Sequence, residues 1–293
     1  MAMFHIWHKT IYRYRCPVLL GPHRLQLRPR ESRGLRIVAA DIVVTPLPRW
    51  SWAHDVFGNA TATTFFAEPA DTLTVESNVT VEHGSEPWPV FDIALSAVSF
   101  PFSYSEEERL DLGALLTPRY PDPDRRLQAW AMGFVRGSPT DTLSLLKDIN
   151  AAISAWISYE SRDAEGTQPP LLTLARRRGS CRDIALLLIE AVRRLGFGAR
   201  VVSGYLANRT SDAIGSADAG STHAWAEVYL PGAGWITFDP TNQTMGDYSL
   251  IPVAVARDIT QTVPVSGSFA GAAGNFLGMT VEVRVSDLTD QPR

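Results

Sequence analysis

The sequence has little cysteine: Cys16 and Cys181 are the only two in 293 residues. They are far apart in the chain, and in a reducing compartment such a pair stays reduced. We therefore expect two free thiols and no disulfide framework. A free thiol can be an inert packing residue or a reactive group, so each cysteine has to be judged by its surroundings.

The sequence also lacks long apolar runs and strong charge. The first residues, "MAMFHIWHKT", do not form the basic and apolar regions of a signal peptide. No stretch approaches the roughly 20 apolar residues of a membrane span. We therefore expect a cytoplasmic protein with no membrane partner. The net charge of −4, from 27 basic and 31 acidic residues, indicates no nucleic-acid partner either.

The organisation of the chain predicts an α+β protein with two folded modules. Residues 1–85 alternate apolar and polar side chains between turn signals, which is typical of an antiparallel β-rich domain with a hairpin at "FGN". Residues 86–138 are rich in proline and are predicted to connect the modules. Residues 139–262 combine helices with antiparallel strands, and residues 263–293 contain a glycine-rich segment and a closing strand that can return to the first sheet.

The second module is predicted to open with a helix at "SPTDTLSLLKDINAAISAWISYES", residues 138–161. Ser138 is suited to cap this helix, Pro139 to its first position, and Asp141 follows three residues after the cap. One apolar face is predicted along the helix. Its members are Leu143, Leu146, Ile149, Ile153 and Trp156.

Cys181 stands at the start of the next predicted helix. Apolar residues follow at helical spacing from Ile184 to Leu195, and Gly196 is placed to end the helix. Ser180 and Asp183 resemble a capping box, which puts Cys181 at the first helical position. There the unpaired N–H groups and the helix dipole stabilise a thiolate. By position alone, Cys181 is equally suited to be a nucleophile or a buried packing residue.

A histidine and an acidic residue in the same module favour the nucleophile. His223 begins the strand "THAWAEVYL", and Asp239 ends the strand "WITFD" after a turn at "PGAG". Their side chains can share a face only if the connection has an odd number of residues or a bulge, because strand side chains alternate. Asp239 would then orient His223 in a Cys-His-Asp triad. The other histidines lie in or at the edge of the first module, at positions 5, 8, 23, 54 and 83.

At these segments the chain resembles the bacterial transglutaminase-like proteins of the papain-like superfamily. The resemblance rests on "GSCRDIALLLIEAVRRLGFGARVVSGYL", "STHAWAEVYLPGAGWITFDPTN" and, in the first module, "TIYRYRCPVLLGPHRLQLRPR" with "DVFGNA". It implies Cys181 as nucleophile, His223 as general acid and base, and Asp239 as its orienting partner. Arg182 and Leu186 stand where such proteins commonly have glutamine and histidine.

This chemistry predicts acyl transfer from a peptide or protein carboxamide through a thioester, with a primary amine as acceptor and no cofactor. The substrate would carry glutamine or another amide side chain. With water as acceptor, the same site is a peptidase or amidase. A non-catalytic protein-binding module is a third possibility. A metal site at Cys181, His223 and Asp239 is a further alternative, although the sequence has no CxxC or HxxxH pair and no EF-hand pattern.

Four residues are secondary candidates for substrate binding. Trp156 and Tyr159 could donate a second hydrogen bond to the oxyanion, beside the Cys181 N–H, or could be core aromatics. Arg182 could favour the thiolate or an acidic substrate, or belong to a solvated basic turn. Trp225 could wall a substrate cleft or pack across strands.

Overall fold

The computed structural model describes residues 1–84, 86, 89–162, 166–207 and 222–288. Its helices are α1 Glu106–Leu112, α2 Arg126–Met132, α3 Thr142–Trp156, α4 Pro170–Arg176 and α5 Cys181–Arg194. Its strands are β1 Ala2–Leu20, β2 His23–Leu25, β3 Leu35–Thr45, β4 Arg49–His54, β5 Ala60–Phe65, β6 Ala70–His83, β7 Ser99–Phe100, β8 Thr140–Asp141, β9 Ser158–Tyr159, β10 Arg178–Gly179, β11 Ala199–Leu206, β12 His223–Leu230, β13 Gly234–Asp239, β14 Thr244–Met245, β15 Leu250–Ala256, β16 Val265–Ser266, β17 Phe269–Ala270 and β18 Phe276–Asp287.

The N-terminal module is built from two sheets. One has the order β17-β1-β6-β3, with β18 also paired to β1, and the other has the order β16-β2-β5-β4. Alternating apolar side chains of both sheets meet in one core, which includes Leu25, Leu73 and Val75. β18 runs antiparallel to β1, which confirms the predicted return of the closing strand. β4 and β5 form the predicted hairpin, with Gly58 at a φ of 73° in its turn.

The second module contains an antiparallel sheet of order β14-β13-β12-β11-β15, on which helices pack. α5 lies against β12, and its Ile184, Leu187 and Leu188 share a core with Ala224 and Ala226 of that strand. Every side chain of α5 from Asp183 to Arg193 is buried. The sequence predicted one buried face, whereas the helix is enclosed on all sides. The α+β prediction is confirmed.

The predicted helix at residues 138–161 is wrong at both ends, because α3 spans Thr142–Trp156 and Tyr159 lies on β9. α3 begins at Thr142, and the side chain of Asp141 caps it by accepting a hydrogen bond from the Ser144 N–H at 2.7 Å. Thr140 and Asp141 are extended because they pair with β7. Leu145 is buried on this helix, whereas Trp156 is 51% exposed. The short helix α4 was not predicted.

The predicted connecting segment contributes to the core of the second module. Leu127 and Ala131 of α2 are buried with α5 and its neighbours. The backbone N–H groups of Arg119 and Tyr120 donate to the buried carboxylate of Glu190 on α5, at 3.0–3.1 Å. Residues 86–138 therefore help to fix α5 where the sequence suggested only a link between modules.

Candidate active site

The start of α5 is held by its own polar residues. Ser180 is the N-cap, and its N–H and hydroxyl both donate to the carboxylate of Asp183, at 3.0 and 2.9 Å. Cys181 is therefore the first helical residue, as the sequence predicted, and it is 7% exposed. Its position places the thiol at the positive end of the helix dipole.

Asp183 also fixes the chain that precedes the site. Its fully buried carboxylate accepts hydrogen bonds from Arg162 Nη2 at 2.9 Å and from the Gln168 N–H at 2.7 Å. Arg182 donates to the Arg162 carbonyl at 3.0 Å, so its guanidinium binds this same segment. Sequence reasoning missed the roles of Arg162 and Gln168, because nothing in the local pattern links them to the helix start.

His223 and Asp239 are brought together by the register of β12 and β13. Ala226 pairs with Phe238 and Leu230 with Gly234, and the three residues between Leu230 and Gly234 make the odd connection that the alternation requires. His223 Nε2 and Asp239 Oδ2 lie 2.8 Å apart, and both side chains are almost fully buried. The two residues are therefore a directly bonded pair.

The Asp239 carboxylate is surrounded by donors. Besides His223, it accepts hydrogen bonds from the Thr241 N–H at 2.9 Å and from the side-chain amide of Asn242 at 2.8 Å. Burial raises the pKa of Asp239, but the charge of His223 and these hydrogen bonds outweigh burial and hold the pKa below its usual range. Asn242, which the sequence analysis did not single out, therefore helps to keep Asp239 ionised.

His223 is held in its protonated form by its neighbours. Burial lowers its pKa, but the charge and hydrogen bond of Asp239, together with a hydrogen bond to Cys181 and its charge, raise the pKa of His223 to about 10. Because Nε2 is engaged by Asp239, Nδ1 is the ring nitrogen left for Cys181. The imidazole of His223 therefore lies between the Cys181 thiol and the Asp239 carboxylate.

Trp225 packs beside this pair. Its indole stacks on the His223 ring, with 5.9 Å between centroids and 28° between planes. Trp225 is 1% exposed. A Cβ at Gly204 would lie 2.8 Å from the indole, so the missing side chain at position 204 makes room for the ring. Trp225 thus packs against His223 and across strands against Val202, as one of the two roles considered for it expects.

The two other aromatic candidates differ in placement. Tyr159 of β9 pairs with Gly179 of β10. Gly179 is two residues before Cys181, so Tyr159 lies near the start of α5. Trp156 is half exposed, and its ring meets Trp130 edge-on at 6.1 Å. The expectation that Trp156 belongs to the core face is therefore wrong, because Ala155 and Trp156 end α3 on its exposed side, whereas Ile153 of the same turn is buried.

The geometry combines a helix-start thiol, a protonated imidazole and a buried carboxylate, which is the arrangement that nucleophilic attack on a carbonyl group requires. Across the described ranges, no group of three or more His, Cys, Asp or Glu side chains is disposed to hold a metal ion. None of the helices in these ranges combines the length and apolar character that a membrane crossing requires.

Comparison with known proteins gives two family matches. Residues 4–82 match the bacterial transglutaminase-like N-terminal region, and residues 128–240 match the transglutaminase-like superfamily. The fold and these matches define the class of the protein, a transglutaminase-like cysteine enzyme. More particularly, these two regions match the models of the family that the sequence analysis named from its resemblance, the bacterial transglutaminase-like proteins.

Similar proteins extend over the whole chain. An uncharacterized protein of Mycobacterium bovis is 29% identical over 297 residues, covering 96% of this chain and 92% of the relative. An uncharacterized protein of Mycobacterium leprae is 25% identical, covering 97% of this chain and 99% of the relative. The structure of a candidate cysteine protease from Cytophaga hutchinsonii has a TM-score of 0.74 at 20% identity, covering 100% of this chain and 92% of that one. This last likeness shows a shared fold.

Proposed function

We propose that the protein transfers the acyl group of a peptide or protein carboxamide to a primary amine, with Cys181 as nucleophile, His223 as general acid and base, and Asp239 as the residue that orients His223. The observation that carries this proposal is the buried contact between His223 and Asp239, with Cys181 beside the imidazole. The proposed setting is the cytoplasm, with no cofactor and no nucleic-acid or membrane partner.

In the first step the thiolate of Cys181 attacks the carbonyl carbon and forms a C–S bond. The C–N bond breaks, protonated His223 gives its proton to the departing nitrogen, and a thioester remains on the enzyme. The N–H of Cys181, unpaired at the helix start, supports the oxyanion. In the second step an amine attacks the thioester, His223 takes the amine's proton, and the thiolate leaves.

The order of cysteine alkylation tests the nucleophile. Cys16 is exposed and Cys181 is buried, so accessibility alone predicts that iodoacetamide labels Cys16 first. An activated thiolate predicts the reverse order at neutral pH, measured by peptide mass spectrometry. Equal or slower labelling of Cys181 would contradict the proposed nucleophile. A chelator should leave the labelling rate unchanged, which separates this reading from a metal site.

The acceptor is tested with glutamine-containing peptides, with and without a labelled primary amine. Wild type should incorporate the amine, Cys181→Ala should not, and Cys16→Ala is the matched control that keeps activity. Deamidation or cleavage without amine incorporation would replace the transferase proposal with the hydrolase alternative, in which water resolves the thioester. Turnover that persists in Cys181→Ala would overturn both.

A further inference from the structure

The hairpin between β4 and β5 is hydrogen-bonded to the sheet of the second module by the buried side chain of Asn59. The amide of Asn59 donates to the Val255 carbonyl at 2.7 Å and accepts from the Val255 N–H at 2.9 Å. Asn59 is fully buried. Val255 lies on β15, the end strand of that sheet, so the side chain supplies both hydrogen bonds that a neighbouring strand would make.

The hairpin holds Asn59 in a fixed position. The Asp55 carboxylate accepts from the N–H groups of Phe57 and Asn59, at 2.9 and 3.0 Å, and from the Asn59 amide at 2.8 Å. Arg30 donates to the Asn59 side-chain oxygen at 2.7 Å and to the Phe57 carbonyl at 3.1 Å. The contact with β15 is therefore made by an ordered turn with satisfied polar groups.

From Val255 a row of paired residues leads across the sheet to the site. Val255 pairs with Val202 of β11, and Val202 pairs with Trp225 of β12. Trp225 stacks on His223. Phe57 packs against the same cluster, which contains Val202, Leu206, Trp225, Leu250 and Val255. The N-terminal module thus supports the cluster on which the imidazole rests.

We infer that Phe57 and Asn59 are positioning residues for His223, so that the N-terminal module is a component of the active site. The inference rests on the proposed function, because it assigns these residues a role in the Cys181–His223 pair. Neither residue touches the reacting atoms. They act by fixing the position of β15 and the packing of Trp225. That packing sets the position of the His223 ring relative to the Cys181 thiol.

This role differs from ordinary stabilisation. A residue that only stabilises the fold lowers the melting temperature without changing the chemistry of the molecules that remain folded. A positioning residue changes the interaction between His223 and Cys181 in the folded protein. The pH dependence of Cys181 alkylation reports that interaction, since the rate follows the thiolate that the imidazolium stabilises.

The test compares Phe57→Leu and Asn59→Ala with wild type, well below their melting temperatures. The rate of Cys181 alkylation by iodoacetamide is followed from pH 5 to pH 9, with Cys16 as the internal reference. We expect both variants to move the midpoint of the profile to higher pH, and a rise of one unit lowers the rate about tenfold at pH values well below both midpoints. Phe57→Tyr, which keeps the ring, should restore the wild-type profile.

Val56→Ala is the matched control, because Val56 lies in the same turn and is 93% exposed. Its profile should equal that of wild type. If Phe57→Leu is folded and keeps the wild-type profile, the inference is overturned, whatever its melting temperature. If Asn59→Ala does not fold, Phe57→Leu decides alone. If wild-type Cys181 reacts no faster than Cys16, the proposed function fails instead.

Discussion

At the scale of single residues, the site depends on how buried polar groups are paired. His223 and Asp239 are both almost free of solvent contact, and each would be unfavourable there as an isolated charge. Their direct hydrogen bond, with the Asn242 amide as a further donor to Asp239, makes the charged forms stable together. The protonated imidazole is therefore a property of the pair and not of His223 alone.

Asp239→Asn is expected to remove this effect. The raised pKa of His223 means that its protonated form stabilises the fold fully below pH about 6.5 as long as Asp239 stays ionised, and that this contribution is lost as the pH rises through about 10. In the variant the pKa of His223 should fall, measured by NMR. The stability lost between pH 7 and pH 10.5 should be smaller by about 2 kcal/mol, measured by urea unfolding. An unchanged loss would show that the pair does not titrate as described.

Gly204→Ala is expected to disturb the packing of the Trp225 indole. The new methyl group would meet the Ile251 carbonyl and lie 2.8 Å from the indole, so it overpacks a buried contact. We expect a loss of about 1–3 kcal/mol in the free energy of unfolding. Gly274→Ala, where an added Cβ meets nothing within 4 Å, is the control and should change stability little. Equal effects of the two substitutions would contradict the contact.

At the scale of elements, α5 carries Cys181 in its first turn and a buried ionic network in its last two turns. The buried Glu190 accepts from Arg193 Nη1 at 3.0 Å and from Arg194 Nη1 at 3.1 Å, in addition to two backbone N–H groups of the connecting segment. Arg194 also bonds Asp122 at 3.1 Å. A helix buried on all sides is thus fixed at both ends by polar contacts, which keeps Cys181 in place.

Glu190→Gln is expected to destabilise the protein strongly. It removes the charge between two buried arginines, and breaking a buried ion pair typically costs about 3–5 kcal/mol. Asp148→Asn is the matched control, because it breaks the exposed pair with Arg136, whose side chain is 79% exposed, and should cost at most about 1 kcal/mol. Chemical denaturation of both variants measures the difference. Similar values would show that the network carries no more than a surface pair.

At the scale of the whole molecule, the two modules share buried surface. Phe4, Ile6 and Val79 of the N-terminal module form one apolar cluster with Tyr205 and Ile251 of the sheet of the second module. This cluster covers one side of that sheet, and the hydrogen bonds of Asn59 to Val255 cover its β15 edge. The N-terminal module is therefore packed against the second module as well as preceding it in the chain.

Deletion of residues 1–84 is expected to give an aggregating protein. It would expose Tyr205, Ile251 and Val253 and leave β15 as an open strand edge, both of which promote association. Size-exclusion chromatography and thermal melting of the truncated and full chains provide the measurement. A monomeric truncated protein that melts like the full chain would show that the shared cluster is dispensable.

Much of the site could be predicted from local sequence. The caps of α5, its apolar spacing and the odd turn between β12 and β13 are short-range features, so they determined that Cys181 begins a helix and that His223 and Asp239 can share a face. The α+β class and the family also followed from such segments. The predicted start of α3 was wrong because the pairing of Thr140 and Asp141 with β7 outweighed the helix-start preference of Pro139.

Other features were decided only by the tertiary structure, because they join residues that are distant in the chain. Asn59 meets Val255, the Asp183 carboxylate meets Arg162 and Gln168, and Trp225 fills the space left by Gly204. A sequence pattern records the spacing of neighbours along the backbone and carries no trace of these contacts. The sequence by itself therefore determined which side chains could form the site, and packing across the two modules decided how firmly they are held.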